Sequence, residues 1–235
     1  KRRRSINGKH KTRIMTRLLS TKILSEGFKD RLLMNSFSLV EKSFIKISPI
    51  QNIKLADSNQ AIIFSSQNAV KIALDNSEIK SLVDQKPIYC IGKKTALLLV
   101  KNGQKVVKIA QNSSDLALFI QKNYKNESFS FFCGKSRVKD LEHVLSVNDI
   151  PIKPVEIYET LPQPHIVKGH FEGIIFFSPS GVKGYAIHNG FEDTHCFCLG
   201  STTAKAVREF TPKLTIAKTP NELQLFRSIT KYFNK

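Results

Sequence analysis

Two stretches of this chain decide its fold: residues 61–71, AIIFSSQNAVK, and residues 173–183, GIIFFSPSGVK, which align without a gap. Each reads as a short apolar strand that ends in small hydroxyl residues and runs into a helix. The likeness continues downstream. Cys90-Ile91-Gly92 with Thr95-Ala96 matches Cys198-Leu199-Gly200 with Thr203-Ala204, and Ile109-Ala110, Asp115-Leu116 and Phe119 match Ile216-Ala217, Glu222-Leu223 and Phe226. A weaker match pairs Leu18 to Ser48 with Phe131 to Leu161, and the offset stays between 107 and 113 throughout. Solenoid units repeat every 20 to about 50 residues, so a period this long is a duplicated domain. The expectation is two similar α/β domains of about a hundred residues each.

Periodicity supports that expectation. Ile62 to Phe64, Ile88 to Ile91, Val106 to Ile109 and Phe129 to Cys133 are short apolar runs bounded by Ser, Asn, Gly or Lys, as in strands covered on both faces. Helical patterns lie between them: Thr95 to Lys101, and Asp115, Leu116, Phe119 and Ile120 behind a Ser113-Ser114 cap. Alternating strands and helices with short connectors form a mostly parallel, doubly wound sheet, in which ligands sit at the carboxyl ends of the strands. The repeat by itself equally allows two consecutive domains.

Composition narrows the class. The 235 residues are 41% hydrophobic, enough to fill such cores, and fibrous or fully disordered classes are excluded. Lys and Arg number 37 against 19 Asp and Glu, a formal +18, which calls for an acidic partner: nucleic acid, an anionic membrane or a small polycarboxylate. Seven positives, Lys1, Arg2, Arg3, Arg4, Lys9, Lys11 and Arg13, fall in the first fourteen residues, leaving +11 for the rest. Met15 stands directly before the first apolar stretch, so residues 1–14 are expected to be a disordered basic extension outside the fold. An organelle transit segment is the compositional alternative. No apolar run approaches the roughly 20 residues of a membrane span, and the basic start lacks the apolar stretch of a signal peptide. Cys90, Cys133, Cys196 and Cys198 sit in strand-like surroundings without a CxxC pair, and read as small buried hydrophobes in a reducing cytoplasm.

Known cofactor motifs fail on inspection. Gly134-Lys135-Ser136 matches the end of a phosphate-binding loop, but the earlier glycine that loop needs would be residue 129, which is Phe129. No GxGxxG follows a strand, the six histidines have no metal-ligand spacing, and no GxSxG elbow exists. Four strand ends remain: Ser65-Ser66 with Asn68, Ser178-Pro179-Ser180-Gly181, Gly92-Lys93-Lys94-Thr95 and Gly200-Ser201-Thr202-Thr203. Small hydroxyl residues and Gly there cap a helix and also leave backbone N–H groups and the positive helix end open to an anion. Four such turns, in duplicate, on strands expected to point the same way suit a ligand with several carboxylates or phosphates.

These signatures, with the stretch Val155-Glu156-Ile157-Tyr158-Glu159-Thr160-Leu161-Pro162, resemble the uroporphyrinogen-III synthase family over residues 17 to 233. The resemblance implies two flavodoxin-like parallel-sheet domains joined by a two-stranded linker with a cleft between them: 15–43 plus 163–235 as a discontinuous domain 1, 49–154 as domain 2, and 44–48 and 155–162 as linker strands. It implies a cytoplasmic, monomeric enzyme without cofactor or metal that dehydrates hydroxymethylbilane, a linear tetrapyrrole octacarboxylate, inverts its D ring through a spiro intermediate and closes the macrocycle. Carried over residue by residue, Tyr158 would either hydrogen-bond the leaving hydroxyl or pack the hinge. Thr21, Lys22, Ser65, Ser66, Asn68, Gly92, Lys93, Thr95, Gly134, Lys135, Ser178, Ser180, Gly200, Thr202 and Thr203 would bind substrate, most through backbone amides. Thr21-Lys22-Ile23 departs from the Thr-Arg-Pro of many members, and Lys keeps the charge while losing the bidentate fork. The competing readings are a basic nucleic-acid-binding module, against which stand five Tyr, no Trp and no recognised binding motif, and an inactive tetrapyrrole-binding family member. No specific nucleic acid and no membrane partner is expected.

Overall fold

The computed structural model describes residues 15–55 and 59–234, and the basic extension expected at 1–14 lies outside the described residues. The chain opens with β1 (Thr16–Ser20), α1 (Glu26–Met34), β2 (Phe37–Glu41) and β3 (Ile45–Pro49). It continues through β4 (Ala61–Phe64), α2 (Gln67–Asp75), α3 (Ser77–Gln85), β5 (Ile88–Ile91), α4 (Lys93–Lys101), β6 (Val106–Ala110), α5 (Ser113–Asn123), β7 (Phe129–Gly134), α6 (Asp140–Val147) and β8 (Ile152–Pro162). It closes with β9 (Gly173–Phe176), α7 (Pro179–Ala186), β10 (His195–Cys198), α8 (Ser201–Arg208), β11 (Leu214–Ile216) and α9 (Glu222–Phe233).

Two compact units result. Among the described residues, one comprises those up to Lys46 and from Pro162 onward, the other those from Ile47 to Leu161. The first holds a five-stranded sheet in the order β11-β10-β9-β1-β2, the second a six-stranded sheet in the order β3-β8-β7-β4-β5-β6. The described pairings among β1, β2, β9, β10 and β11, and among β4 to β8, are parallel. Laid side by side, β11, β10, β9, β1 and β2 occupy the places of β6, β5, β4, β7 and β8, so the sequence repeat is one spatial arrangement built twice. The two copies are cut at different strands. In chain order the first reads 2-1-3-4-5, the flavodoxin order, and the second reads 3-2-1-4-5. Of the segments expected as linker strands, 44–48 and 155–162, residues 45–48 fall in β3, which leaves Phe44 outside and extends to Pro49, and 155–162 fall in β8, which begins earlier, pairing Ile152 with Phe129 of β7.

Side-chain alternation along buried strands explains the layers. In β4, Ile62 and Phe64 pack with Val70, Leu99 and Phe132 on one face, while Ile63 packs with Tyr89, Leu116 and Phe129 on the other. In β9, Ile174 and Phe176 pack with Leu19, Val182 and Val207, and Ile175 faces Leu18, Phe28, Phe197 and Ile229. Every residue of both strands is buried. At about 1.5–3 kcal/mol for each large apolar side chain taken fully out of water, these central strands anchor each unit.

Two helix starts differ from the sequence reading. The cap of α5 is Asn112, whose Oδ1 accepts from the Asp115 amide at 2.8 Å, and Ser113 is already helical. An Asn one position earlier places its side-chain oxygen on the third helical amide, where Ser113 cannot reach. Helix α4 starts at Lys93, two residues before the expected Thr95, because Gly92 at φ +89° turns the chain directly out of β5. Helix α3 has no partner in the other copy, where residues 187–194 contain no helix.

Candidate functional site

The duplicated strand ends form the same structure twice. Ser66 (φ −147°, ψ 148°) accepts from the Ala69 amide at 3.0 Å, and Ser178 (φ −154°, ψ 156°) accepts from the Gly181 amide at 3.2 Å. Each hydroxyl thereby satisfies the third amide of its helix, and the first turn keeps the positive end of the helix dipole. Pro179 stands at the first helical position where Gln67 stands in the other copy, a place that needs no N–H donor. Gly92 and Gly200 cap α4 and α8 without a side-chain bond. They differ in conformation: Gly92 is left-handed, whereas Gly200 at φ −157° is ordinary extended backbone.

Charge separates these four helices from the rest. Helices α1, α3, α5, α6 and α9 each carry Glu or Asp in the first turn, at Glu26, Glu78, Asp115, Asp140 with Glu142, and Glu222. Helices α2, α4, α7 and α8 carry none. An acid there stabilises a helix by about 0.3–1 kcal/mol, and α4 instead begins Lys93-Lys94, both exposed. The helices that forgo this stabilisation are the four that follow the strand ends singled out in the sequence.

In the second unit the chain reverses direction across the sheet between β4 and β7, and the carboxyl ends of those strands meet there. Gly134 ends β7 and pairs with Tyr158 of β8 after a register shift. The Tyr158 ring lies over Gly134, so that a Cβ on residue 134 would stand 2.6 Å from Tyr158 Cζ. Tyr158 Oη is 3.1 Å from Ser66 Oγ, and the Lys135 amide donates to the Tyr158 carbonyl at 2.9 Å. Arg137, which the sequence reading missed, secures the loop after β7: its Nε donates to Glu142 at 2.6 Å and its Nη1 to Glu156 at 2.7 Å. Burial works to lower the Arg137 pKa, but the hydrogen bonds to Glu156 and Glu142 outweigh it and raise it. Exposed Lys135 reaches Glu159 at 3.9 Å.

In the first unit the corresponding reversal lies between β1 and β9. Thr21 Oγ1 donates to the Ile175 carbonyl at 2.9 Å from a buried position. Lys22 Nζ lies 3.8 Å from Glu222 and 4.1 Å from the centre of the Phe177 ring. Thr95 and Thr203 are buried, while Lys93 and Thr202 are exposed and Ser65, Ser66, Asn68, Gly92, Ser178, Ser180 and Gly200 are partly so. The structure thus brings Ser66, Gly134, Lys135 and Tyr158 together in one unit and Thr21, Lys22, Ser178 and Ser180 at the matching strand ends of the other. A cavity of about 410 Å³ lined by Lys218, Arg227, Lys231 and Tyr232 contains none of the expected site residues.

Among the described residues, no group of three or more His, Cys, Asp or Glu is placed to hold a metal ion. None of the described helices is long and apolar enough to cross a membrane. All four thiols are free and buried.

Comparison with known proteins follows the same outline. The family model of uroporphyrinogen-III synthase HemD matches residues 27–227. A solved uroporphyrinogen-III synthetase from Helicobacter pylori superposes with a TM-score of 0.73 at 20% identity, over 93% of this chain and 100% of that one. A mutant uroporphyrinogen III synthase from the extremely thermophilic bacterium Thermus thermophilus superposes with a TM-score of 0.57 at 12% identity, over 93% and 99%. At such identities the structures establish a common fold.

Proposed function

The chain belongs to the uroporphyrinogen-III synthase family, a family of lyases in tetrapyrrole biosynthesis, and on that premise we propose how its residues hold and turn over the substrate. The reaction takes hydroxymethylbilane to uroporphyrinogen III by loss of water, inversion of the D ring and macrocycle closure. Hydroxymethylbilane carries eight carboxylates, and within each unit taken by itself the open helix N-termini, α2 and α4 in one and α7 and α8 in the other, offer backbone amides suited to carboxylates. The observation that supports this reading is that, among the described helices, those four and no others lack an acid in the first turn. Lys93, Lys135 and Lys22 add long-range attraction, and the +11 outside the first fourteen residues steers an octaanion to the protein.

The substrate cyclises unaided to the uninverted isomer, so the enzyme acts chiefly by geometry. Holding the D ring so that its substituted carbon attacks is an orientation effect, worth about 7–11 kcal/mol in well-organised systems. Loss of the hydroxyl needs a proton donor, and Tyr158, held on β8 over Gly134, serves as that donor. The four buried free thiols suit a reducing compartment such as the cytoplasm.

The decisive assay feeds hydroxymethylbilane to the full chain and measures the ratio of type III to type I product. Type III in excess supports the enzyme reading. Type I alone, at the uncatalysed rate, would sink it in favour of an inactive tetrapyrrole-binding member. Binding at the helix ends is tested by Asn68→Asp and Ser180→Asp. Each adds the missing first-turn acid, so stability should rise by about 0.3–1 kcal/mol while KM rises several-fold. An unchanged KM in both would remove these turns from the site.

A further inference from the structure

Ser66 does more than its counterpart in the duplicated unit. Ser178 makes the identical cap, and among the described residues its hydroxyl bonds nothing beyond the Gly181 amide. Ser66 Oγ accepts from the Ala69 amide at 3.0 Å and also lies 3.1 Å from Tyr158 Oη. The duplication thus supplies its own control: capping requires only the first contact.

A hydroxyl has one hydrogen and two lone pairs. The Ala69 amide occupies one lone pair of Ser66, which leaves two arrangements with Tyr158. If Tyr158 donates into the second lone pair, its proton is engaged and is lost to the substrate. If Ser66 donates to the phenol oxygen, every donor feeds the next, from the Ala69 N–H to the Ser66 O–H to the Tyr158 O–H, and the last proton is free. The second arrangement also places the positive end of α2, with no acid in its first turn, behind the oxygen on which charge develops. The Gly134 surface under the ring and the Lys135 amide on the Tyr158 carbonyl fix the phenol at the end of this chain.

We infer that Ser66 is a positioning residue of the reaction, which donates its hydroxyl hydrogen to Tyr158 Oη and couples the N-terminus of α2 to the phenol. The inference rests on the reading of Tyr158 as proton donor. The carbon–oxygen bond of the hydroxymethyl group breaks with both electrons passing to oxygen, which takes the Tyr158 proton and leaves as water. Ser66 stabilises the resulting phenolate. The proton that a ring carbon loses when the macrocycle closes returns to Tyr158, so no other reactant is consumed.

The test uses the full chain with Ser66→Gly and Ser66→Thr. Gly is tolerated at a helix cap at a cost of a few tenths of a kcal/mol and adds no charge, whereas Thr keeps both hydrogen bonds. Tyrosine labelled with carbon-13 at Cζ reports each phenol by NMR, with the Tyr158 signal assigned by its loss in Tyr158→Phe. Ser66→Gly should shift the Tyr158 Cζ resonance at constant pH and lower kcat about tenfold, with KM within twofold of the parent. Ser66→Thr should restore both, and Ser178→Gly should leave the Tyr158 resonance in place. An unmoved resonance in Ser66→Gly overturns the inference, as does a fall in kcat of equal size in a Tyr158→Phe background. If instead the resonance moves while Tyr158→Phe keeps full rate and isomer ratio, it is the Tyr158 reading that fails, and the catalytic role of Ser66 falls with it.

Discussion

Replacing Gly134 by Ala probes the contact on which Tyr158 depends. The added Cβ would stand 2.6 Å from Cζ, 2.8 Å from Cε2 and 2.9 Å from Oη of Tyr158, where ordinary contact begins at 3.4 Å. The ring must therefore retreat by about 0.8 Å, or β7 and β8 must separate by that much against the pairing of Gly134 with Tyr158. Overpacking of this kind costs about 1–3 kcal/mol. The contact with Ser66 is already 3.1 Å long, so a retreat of about 0.8 Å away from Ser66 carries it beyond hydrogen-bonding distance. Urea unfolding of the full chain should show the destabilisation, and the type III to type I product ratio should fall. A double-mutant cycle isolates the cause. With Tyr158→Ala the ring is gone, and adding Gly134→Ala should then cost nearly nothing, giving a coupling of at least about 1 kcal/mol. An equal cost in both backgrounds would refute the steric argument, and an unchanged product ratio in the single variant would detach Tyr158 placement from isomer choice.

Thr21→Val removes a hydroxyl that donates to the Ile175 carbonyl, which still accepts from the Thr21 amide. Stability should fall by about 1 kcal/mol with KM unchanged; a large rise in KM would show that this hydroxyl reaches the substrate. Burial pushes Cys90 up to about 11 and Cys133, Cys196 and Cys198 up to about 12, so no thiol should react with an aromatic disulfide reagent in the native state and all four should react in denaturant. Burial works to raise the Glu41 pKa, but Lys29 at 2.6 Å and the Leu24 amide at 2.7 Å outweigh it and hold the carboxyl below its ordinary value of 4.5. Its contribution is therefore complete above that value and disappears as pH falls below it. Glu41→Gln should flatten this part of the acid unfolding curve, and an unchanged curve would show that the pair contributes nothing.

The amino-acid sequence by itself determined the duplication, the fold class and the strand ends. Apolar runs such as Ile62 to Phe64 and Ile174 to Phe176 leave few alternatives to a buried strand, and Ser66 and Ser178 follow at the same spacing. These are local properties of backbone and side chain, which act within a few residues and survive in a single sequence. Local pattern was less secure where two capping residues adjoin, as at Asn112 and Ser113, since the choice depends on which oxygen meets the third amide. Residue type also did not reveal that Thr95 and Thr203 turn inward while Thr202 faces outward, because helix rotation is set by packing. The repeat by itself left two consecutive units open, with only the family resemblance against them; the tertiary structure sets β1 beside β9 rather than beside β4, with β2 outside β1, and the first unit is discontinuous. Only the tertiary structure laid Tyr158 over Gly134 and against Ser66, 92 residues earlier in the chain. The physical reason is common to both: strand order and side-chain meeting points depend on which apolar faces bury one another across long separations, and that information is held jointly by residues that no local pattern connects.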